Sequence, residues 1–308
     1  MRRLFPTPSV PSNSPAGSWS LEELADAYAY PGEIDAADGL VGLGERPGEG
    51  AGVGPVGTGP VAGSVAGSVA GHAAAVGGAG AAVATRARTP WLRANMVSSL
   101  DGAAHHEGRS QPLSSDADMR IFGVLRGLAD AIVVGAQTVR QEGYRPAKAR
   151  EAFAARRAAL GQPPAPAIAV VSASLDLDFS LPLFTAPLTP TLVVTGAAAP
   201  ADRVAAARAA GVEVVRAGQG AGVDPTLIKG ALAERGMTRL LTEGGPRLLG
   251  QLVAAGALDE LCLSVAPLLV SGTAARVVNG PPLSVPERFA LASVIEEDGF
   301  LFTRYRRF

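Results

Sequence analysis

A chain of 308 residues and 31.1 kDa accommodates one large domain or two ordinary ones, and 47% hydrophobic residues with 5% aromatics and 38 glycines is the profile of an α/β enzyme carrying Gly/Ala-rich filler. Lys+Arg 27 against Asp+Glu 28 gives a net charge of -1, so no overall field draws the chain to nucleic acid or to an anionic membrane surface. The single cysteine, Cys262, excludes an internal disulfide framework and a multi-Cys zinc site, and fits a reducing compartment.

At the N-terminus an Arg2-Arg3 pair is followed by Pro6, Pro8, Pro11 and Pro15, where a signal peptide needs an apolar helix. A cytoplasmic protein is expected. Leu21–Tyr30 reads as a short amphipathic helix begun near Ser18 or Ser20, stopped at Pro31 and docked on the main domain. Residues 50–84 carry no charged side chain and repeat Val-Ala-Gly-Ser from Val61 and Val65. Pro55, Pro60, the scarcity of large apolar residues and the lack of aromatic or basic flanks argue against a membrane span. Glycine has much conformational entropy to lose and nothing here offsets it by burial, so a flexible linker is expected. The chain is thereby divided into an N-terminal segment (1–31), a linker (32–88) and one domain (89–308).

From Thr89 onward, apolar runs of four to six residues alternate with amphipathic stretches, the pattern of a mostly parallel α/β sheet flanked by helices. Strands are expected at Leu92–Val97, Ala131–Val134, Ala167–Val171, Thr191–Val194, Val212–Val215, Leu240–Thr242, Glu260–Val265 and Leu301–Tyr305, most of them buried on both faces. Ser115 to Asp118 reads as a capping box ahead of a helix with Met119, Phe122, Leu125 and Leu128 on its inner face. Further helices should start near Asp224-Pro225 and Gly245-Pro246, where proline suits the first turn.

Several motifs carry no chemistry. Gly52-Val53-Gly54-Pro55-Val56-Gly57 matches the dinucleotide fingerprint by letter, yet no strand delivers the chain to it and no helix follows. His72 lies in the linker, and the neighbours His105 and His106 point apart on an extended segment, making poor joint metal ligands. No Gly-x-Ser-x-Gly elbow exists, and Cys262 in a strand without basic neighbours reads as core filler.

Three strand ends are chemically informative. The first strand runs into Ser98, Ser99, Asp101 and Gly102 and on through Gly108-Arg109-Ser110-Gln111 to the capped helix. Asp101-Gly102 is read with equal weight as a simple turn. The second segment, Leu240 to Leu249, feeds a strand into Glu243, two glycines and a helix opening with Pro246, so bare N–H groups and a positive helix end can receive a phosphate. The third, Ala131 to Thr138, repeats the arrangement around Gly135, with Glu142 one turn beyond Thr138 on the same helix face. Polar strand ends of one α/β sheet converge on one ligand cleft.

The order and spacing of Ser99-Leu100-Asp101-Gly102, Gly108-Arg109-Ser110-Gln111, Val124-Leu125-Arg126, Val133 to Val139, Thr242-Glu243-Gly244-Gly245 and Leu258-Asp259-Glu260-Leu261 resemble the reductase domain of riboflavin biosynthesis, a dihydrofolate-reductase-like family. The resemblance runs from about Trp91 to the C-terminus. It implies a dihydrofolate-reductase-like fold and NADPH-dependent reduction of 5-amino-6-(5-phosphoribosylamino)uracil to its ribitylamino product, in a homodimer. The zinc-deaminase signature of the bifunctional relatives is missing, so reduction alone is implied. Carried over by motif, Ser98, Gly135, Thr138, Glu142, Ser172 and Gly244-Gly245-Pro246-Arg247-Leu248-Leu249 would hold NADPH. Ser110, Arg126, Arg145 and Glu243 would face the substrate, and Asn95 and Glu142 occupy catalytic positions.

The sequence departs from the family at three of these places. Asn95 stands where a lysine is common, Pro112 where a tryptophan follows the Gly-Arg-Ser-Gln turn, and Glu142-Gly143-Tyr144-Arg145-Pro146 replaces an Asp-Asp/Asn-Pro run. Reduction of a related substrate such as dihydrofolate, or non-catalytic NADPH binding, are the alternative readings.

Overall fold

The computed structural model describes residues 1–5, 19–33 and 88–308. In chain order the elements are β1 (Arg2–Phe5), α1 (Leu21–Ala27), β2 (Trp91–Ser98), α2 (Asp116–Leu128), β3 (Ala131–Gly135), α3 (Ala136–Gln141), α4 (Ala154–Ala159), β4 (Ala167–Val171), α5 (Pro182–Thr185), β5 (Leu192–Thr195), α6 (Ala201–Ala209), β6 (Glu213–Arg216), α7 (Pro225–Ala233), β7 (Arg239–Thr242), α8 (Gly245–Ala254), β8 (Glu260–Val265), β9 (Phe289–Glu297) and β10 (Phe300–Arg307). The glycine fingerprint at 52–57, His72 and nearly all of the expected linker lie outside the described residues.

One ten-stranded sheet runs in the order β1-β9-β10-β8-β2-β7-β3-β4-β5-β6. The strands from β8 through β2 to β6 are parallel, whereas β10, β9 and β1 add an antiparallel flank. All eight expected strands form, with ends shifted by a residue or two. The expectation of a mostly parallel sheet needs one correction, because β1 and β9 were not anticipated. Arg2–Phe5 is short and its burial does not alternate, and β9 is mostly half-exposed, so neither carries the apolar run that marks a buried strand.

The buried parallel strands divide their side chains between two cores. Ile132 and Val134 of β3 pack with Ile121, Val124, Leu125 and Leu128 of α2, while Ala131 and Val133 pack with Leu248, Leu249 and Leu252 of α8. Each such aliphatic side chain contributes about 1.5–3 kcal/mol on full burial. The inner face of α2 is rotated from the expected one: Met119 is exposed and Phe122 half-buried, leaving Ile121 and Val124 to share the core with Leu125 and Leu128. The capping box is also half formed. Ser115 Oγ accepts the Asp118 N–H at 3.2 Å, but the Asp118 carboxylate turns away from the Ser115 backbone.

The N-terminal helix docks as expected, through polar bonds as well as apolar contact. Ser20 and Glu23 form the complete capping box of α1, and Leu24, Ala25, Tyr28 and Tyr30 are buried in the core beside α2. The carbonyls that end α1 meet two buried arginines: Arg93 of β2 donates to Tyr28 O at 2.8 Å, and Arg304 of β10 donates to Ala27 O and, at 3.3 Å, to Ala29 O. Both guanidiniums pair with the single carboxylate of Glu260 of β8, at 3.0 Å from Arg93 and 2.5 Å from Arg304. Arg93 and Glu260 are fully buried, and burial of such a pair is tolerable only with its remaining hydrogen bonds satisfied, which the helix carbonyls and Trp91 Nε1 do.

Candidate active site

The strand order reverses around β2, which lies between β8 and β7 although both follow it late in the chain. Ligand crevices in open α/β sheets form at such a point, beyond the carboxyl ends of the strands. A cleft opens there, lined by Asn95, Met96 and Val97 of β2, Asp118, Met119 and Phe122 of α2, Thr138 of α3, and Glu142, Tyr144, Glu243, Gly245 and Pro246. His105, Gly108, Ser110 and Gln111 close one side from the loop after β2.

Glu243, the residue after β7, is held by both oxygens. Arg126 Nε donates to Oε1 at 2.7 Å and its Nη2 to Oε2 at 2.6 Å, while the Tyr144 hydroxyl donates to Oε2 at 2.5 Å. The guanidinium also lies 4.3 Å from the Phe122 ring centroid and 5.3 Å from that of Tyr144, so packing and charge fix it together. Burial opposes the Arg126 charge and Glu243 outweighs it, leaving its pKa above the ordinary value. Burial, reinforced by Glu243, raises the Tyr144 hydroxyl well above the usual phenol range, so Tyr144 remains a neutral donor.

At the start of α8 the backbone itself is the feature. Gly245 has φ +73°, and a Cβ there would stand 2.7 Å from Thr138 Oγ1. A Cβ on Gly244 would stand 2.8 Å from Leu248 and 3.2 Å from the Gly135 nitrogen, so the turns after β3 and β7 are pressed together. Pro246 has no N–H and the Gly245 N–H donates to Glu243 O at 3.0 Å, which leaves the Arg247 N–H as the open donor of the first turn. Two glycines and a helix N-terminus form a cradle that side chains would fill, and this fits the pyrophosphate of a dinucleotide.

Of the residues expected at the site, Asn95, Ser110, Thr138, Glu142, Glu243, Gly245 and Pro246 line the cleft together. Gly135 and Gly244 lie outside that lining and approach each other closely at the turns after β3 and β7. Arg126 does not face the cleft; it stands behind Glu243 and Tyr144 as their support. Arg145 and Arg247 are exposed and outside the lining, and Leu248 and Leu249 are core side chains. Ser98 donates to Ser99 O at 2.8 Å and Ser172 accepts the Leu175 N–H at 3.0 Å, so both hydroxyls serve local turns. Asp101 is a turn residue with a longer reach, accepting from Ser99 Oγ at 2.5 Å and from the Val270 and Ser271 N–H groups at 3.1 and 2.6 Å, which hold its pKa down at about 2.

Asp118, Tyr144, Met119 and Phe122 were missed at the sequence level. Asp118 passed for a capping residue and the two apolar side chains for core, although the α2 spacing of i and i+3 would also serve a cleft-facing stripe. Among the described residues no cluster of His, Cys, Asp and Glu is placed to hold a metal ion, and no helix is long and apolar enough to cross a membrane.

The model of the RibD C-terminal domain matches residues 90–298. The chain is 32% identical over 189 residues to the 2,5-diamino-6-ribosylamino-4(3H)-pyrimidinone 5′-phosphate reductase of Methanothermobacter thermautotrophicus, covering 61% of this chain and 83% of that protein. The reductase of the same name from Archaeoglobus fulgidus is 28% identical over 184 residues, covering 59% and 83%. Among solved structures, a pyrimidine reductase-like protein from Corynebacterium diphtheriae superposes with a TM-score of 0.63 at 31% identity, covering 70% of this chain and 91% of that one.

Proposed function

The chain belongs to the RibD C-terminal domain family, and on that premise we propose that it is an NADPH-dependent reductase of a 6-ribosylaminopyrimidine 5′-phosphate, the sequence-level expectation being 5-amino-6-(5-phosphoribosylamino)uracil. The observation that carries this reading is that one cleft is lined together by the Gly245 turn with Thr138 and by Asn95, Asp118 and the held carboxylate of Glu243. When bound, the nicotinamide supplies a hydride to C1′ of the ring-opened sugar imine, and the imine nitrogen takes a proton from solvent or a neighbouring group. The protein's own part is positioning and exclusion of water.

In this reading Thr138 Oγ1 and the Arg247 N–H donate to the cofactor phosphates, which the positive end of α8 favours. Glu243, its carboxylate fixed by Arg126 and Tyr144, accepts from donor groups of the ligand. Met119 and Phe122 provide an apolar wall against which a flat ring can lie. The neutral Asn95 on β2 brings no charge to the reacting centre.

The test is loss of NADPH absorbance by the purified protein with the ribosylaminopyrimidine phosphate, with dihydrofolate in parallel. Turnover of the former supports the reading, and turnover of dihydrofolate alone overturns it. NADPH binding without oxidation by either favours a non-catalytic binding role.

A further inference from the structure

The adjacent histidines, which read from sequence as a motif without chemistry, are divided by the fold. His106 is exposed, whereas His105 is half-buried and lines the cleft. Just beyond them the chain reverses: His106 and Arg109 exchange backbone hydrogen bonds at 2.9 and 3.0 Å around Glu107 at φ 49° and Gly108 at φ 78°. Two central residues of positive φ make this a tight hairpin turn, which brings Ser110 back to the same side of the cleft as His105.

The His105 imidazole is held by one nitrogen only. Nε2 accepts the Ala275 N–H at 3.4 Å, and Nδ1 is buried without a hydrogen-bond partner. In the uncharged ring one nitrogen donates and the other accepts, so an Nε2 that accepts puts the proton on Nδ1. The backbone around this contact is fixed on both sides. Ala104 N–H donates to Ala275 O at 2.8 Å, and Ala103 pairs with Arg276 in an isolated antiparallel bridge. Ser99 holds the Ala103 backbone through its N–H and Oγ, at 3.0 and 2.9 Å, and Asp101 accepts the Val270 and Ser271 N–H groups. The loops after β2 and β8 thus leave one unmet donor on a residue of the cleft wall.

What a lone N–H takes there follows from the rest of the lining. Asp118, Glu142 and Glu243 are acceptors, and among the described residues no lysine or arginine lines the cleft. A phosphate dianion is repelled by these carboxylates, and a sugar hydroxyl brings its own proton to them. A ring carbonyl oxygen can only accept, and an N–H answers it. We propose that His105 is a specificity-determining residue whose Nδ1–H donates to a carbonyl oxygen of the heterocycle, with the Ala275 N–H setting the tautomer that makes this possible. This rests on the reductase reading and deepens it. A ligand with an amino group in place of that carbonyl sets N–H against N–H and leaves both unmet in a buried site, which the protein rejects.

The tautomer is read without activity. The chain has three histidines, and in a two-bond proton–nitrogen correlation spectrum of the full-length protein at about pH 8, above the ordinary imidazole range, the ring signals that vanish in His105→Asn should be those of an Nδ1–H imidazole. An Nε2–H ring overturns the proposal. In initial rates with 5-amino-6-(5-phosphoribosylamino)uracil, His105→Ala should raise KM at least about tenfold, with kcat changed less than about threefold and the NADPH dissociation constant unchanged. His105→Asn keeps an N–H at the same bond count from the backbone and should recover most of that loss, which a merely structural role would not. Equal KM in wild type and His105→Ala, or equal losses in the two variants, overturns the proposal. Should His105→Ala fail to fold, His105→Asp, which offers acceptors only, carries the same comparison with His105→Asn. Inorganic phosphate should inhibit wild type and His105→Ala equally; weaker inhibition of the variant assigns His105 to the phosphate and overturns the carbonyl assignment. If the wild-type protein oxidises no NADPH with this compound, the reductase reading fails by itself; calorimetric binding of uracil to wild type and His105→Ala then decides the recognition claim, and equal affinity refutes it.

Discussion

Arg126 grips both oxygens of Glu243, at 2.7 and 2.6 Å, while lying outside the cleft that Glu243 lines. An arginine expected to face the substrate thus stands behind Glu243, outside the lining of the cleft. Because the Glu243 side chain is only 5% exposed, Arg126→Ala leaves a buried carboxylate without its counter-charge, a loss of about 3–5 kcal/mol. Tyr144→Phe removes a single hydroxyl donor and should cost about 1 kcal/mol. Thermal melts should rank the two variants in that order. Both should raise the KM for the pyrimidine while leaving the NADPH dissociation constant within about twofold. Equal loss of NADPH binding in Arg126→Ala would mean that Glu243 belongs to the cofactor half of the cleft.

Gly245 carries two constraints at once, a positive φ of 73° and a Thr138 hydroxyl oxygen 2.7 Å from where a Cβ would stand. Gly245→Ala must strain the backbone and displace Thr138, and Gly245→Val adds a branched side chain at the cradle. NADPH affinity, read by quenching of intrinsic fluorescence, should drop at least about tenfold in Gly245→Ala and further in Gly245→Val, one decade corresponding to about 1.4 kcal/mol. Thr138→Ala should weaken binding less, because it removes one donor and leaves the turn intact. Wild-type affinity in Gly245→Val would remove this turn from the cofactor site.

The parallel sheet was legible because strands buried on both faces are continuous apolar runs, as in Ala131–Val134 and Ala167–Val171. The glycine turn after β7 was legible because a strand, two glycines and a proline-opened helix occur within ten residues. The antiparallel flank was not, since β9 shows one face to solvent and lacks that run. Nor could spacing along α2 tell a residue that faces the core from one that faces a cleft: Leu125 and Phe122 are both apolar and one turn apart, and only the neighbouring strands decide which is covered. Arg126 and Glu243 are 117 positions apart, so their pairing was invisible locally, and each was assigned separately to the ligand.

Cys262 should be chemically silent in the native protein. Burial, with the nearby Glu260 carboxylate adding to it, pushes its thiol up to about 12, and the residue is 2% exposed. Reaction with an aromatic disulfide reagent at pH 8 should be negligible over an hour without denaturant and stoichiometric in guanidinium chloride. Its rate at intermediate denaturant then reports opening of β8. Rapid labelling of the native protein would show that this strand is accessible.

Glu260 predicts how the protein responds to acid. Burial alone would raise its pKa, but Arg93 and Arg304 outweigh burial and bring it from the ordinary 4.5 down to about 2. A carboxylate whose folded pKa is depressed contributes stability that is complete above the unfolded value and disappears as pH falls through the folded one. The contribution of Glu260 should therefore be constant above pH 5 and decline between about pH 4.5 and 2, releasing the carbonyls of Tyr28 and Ala29 as the arginines lose their counter-charge. Melting temperature against pH should fall over that window. Arg93→Met, which leaves Glu260 with fewer cations, should move the decline to higher pH and lower stability at neutral pH by about 3–5 kcal/mol. A melting temperature unchanged from pH 5 to pH 2, or an acid transition that Arg93→Met does not move, would show that the ion cluster beneath α1 does not govern acid stability.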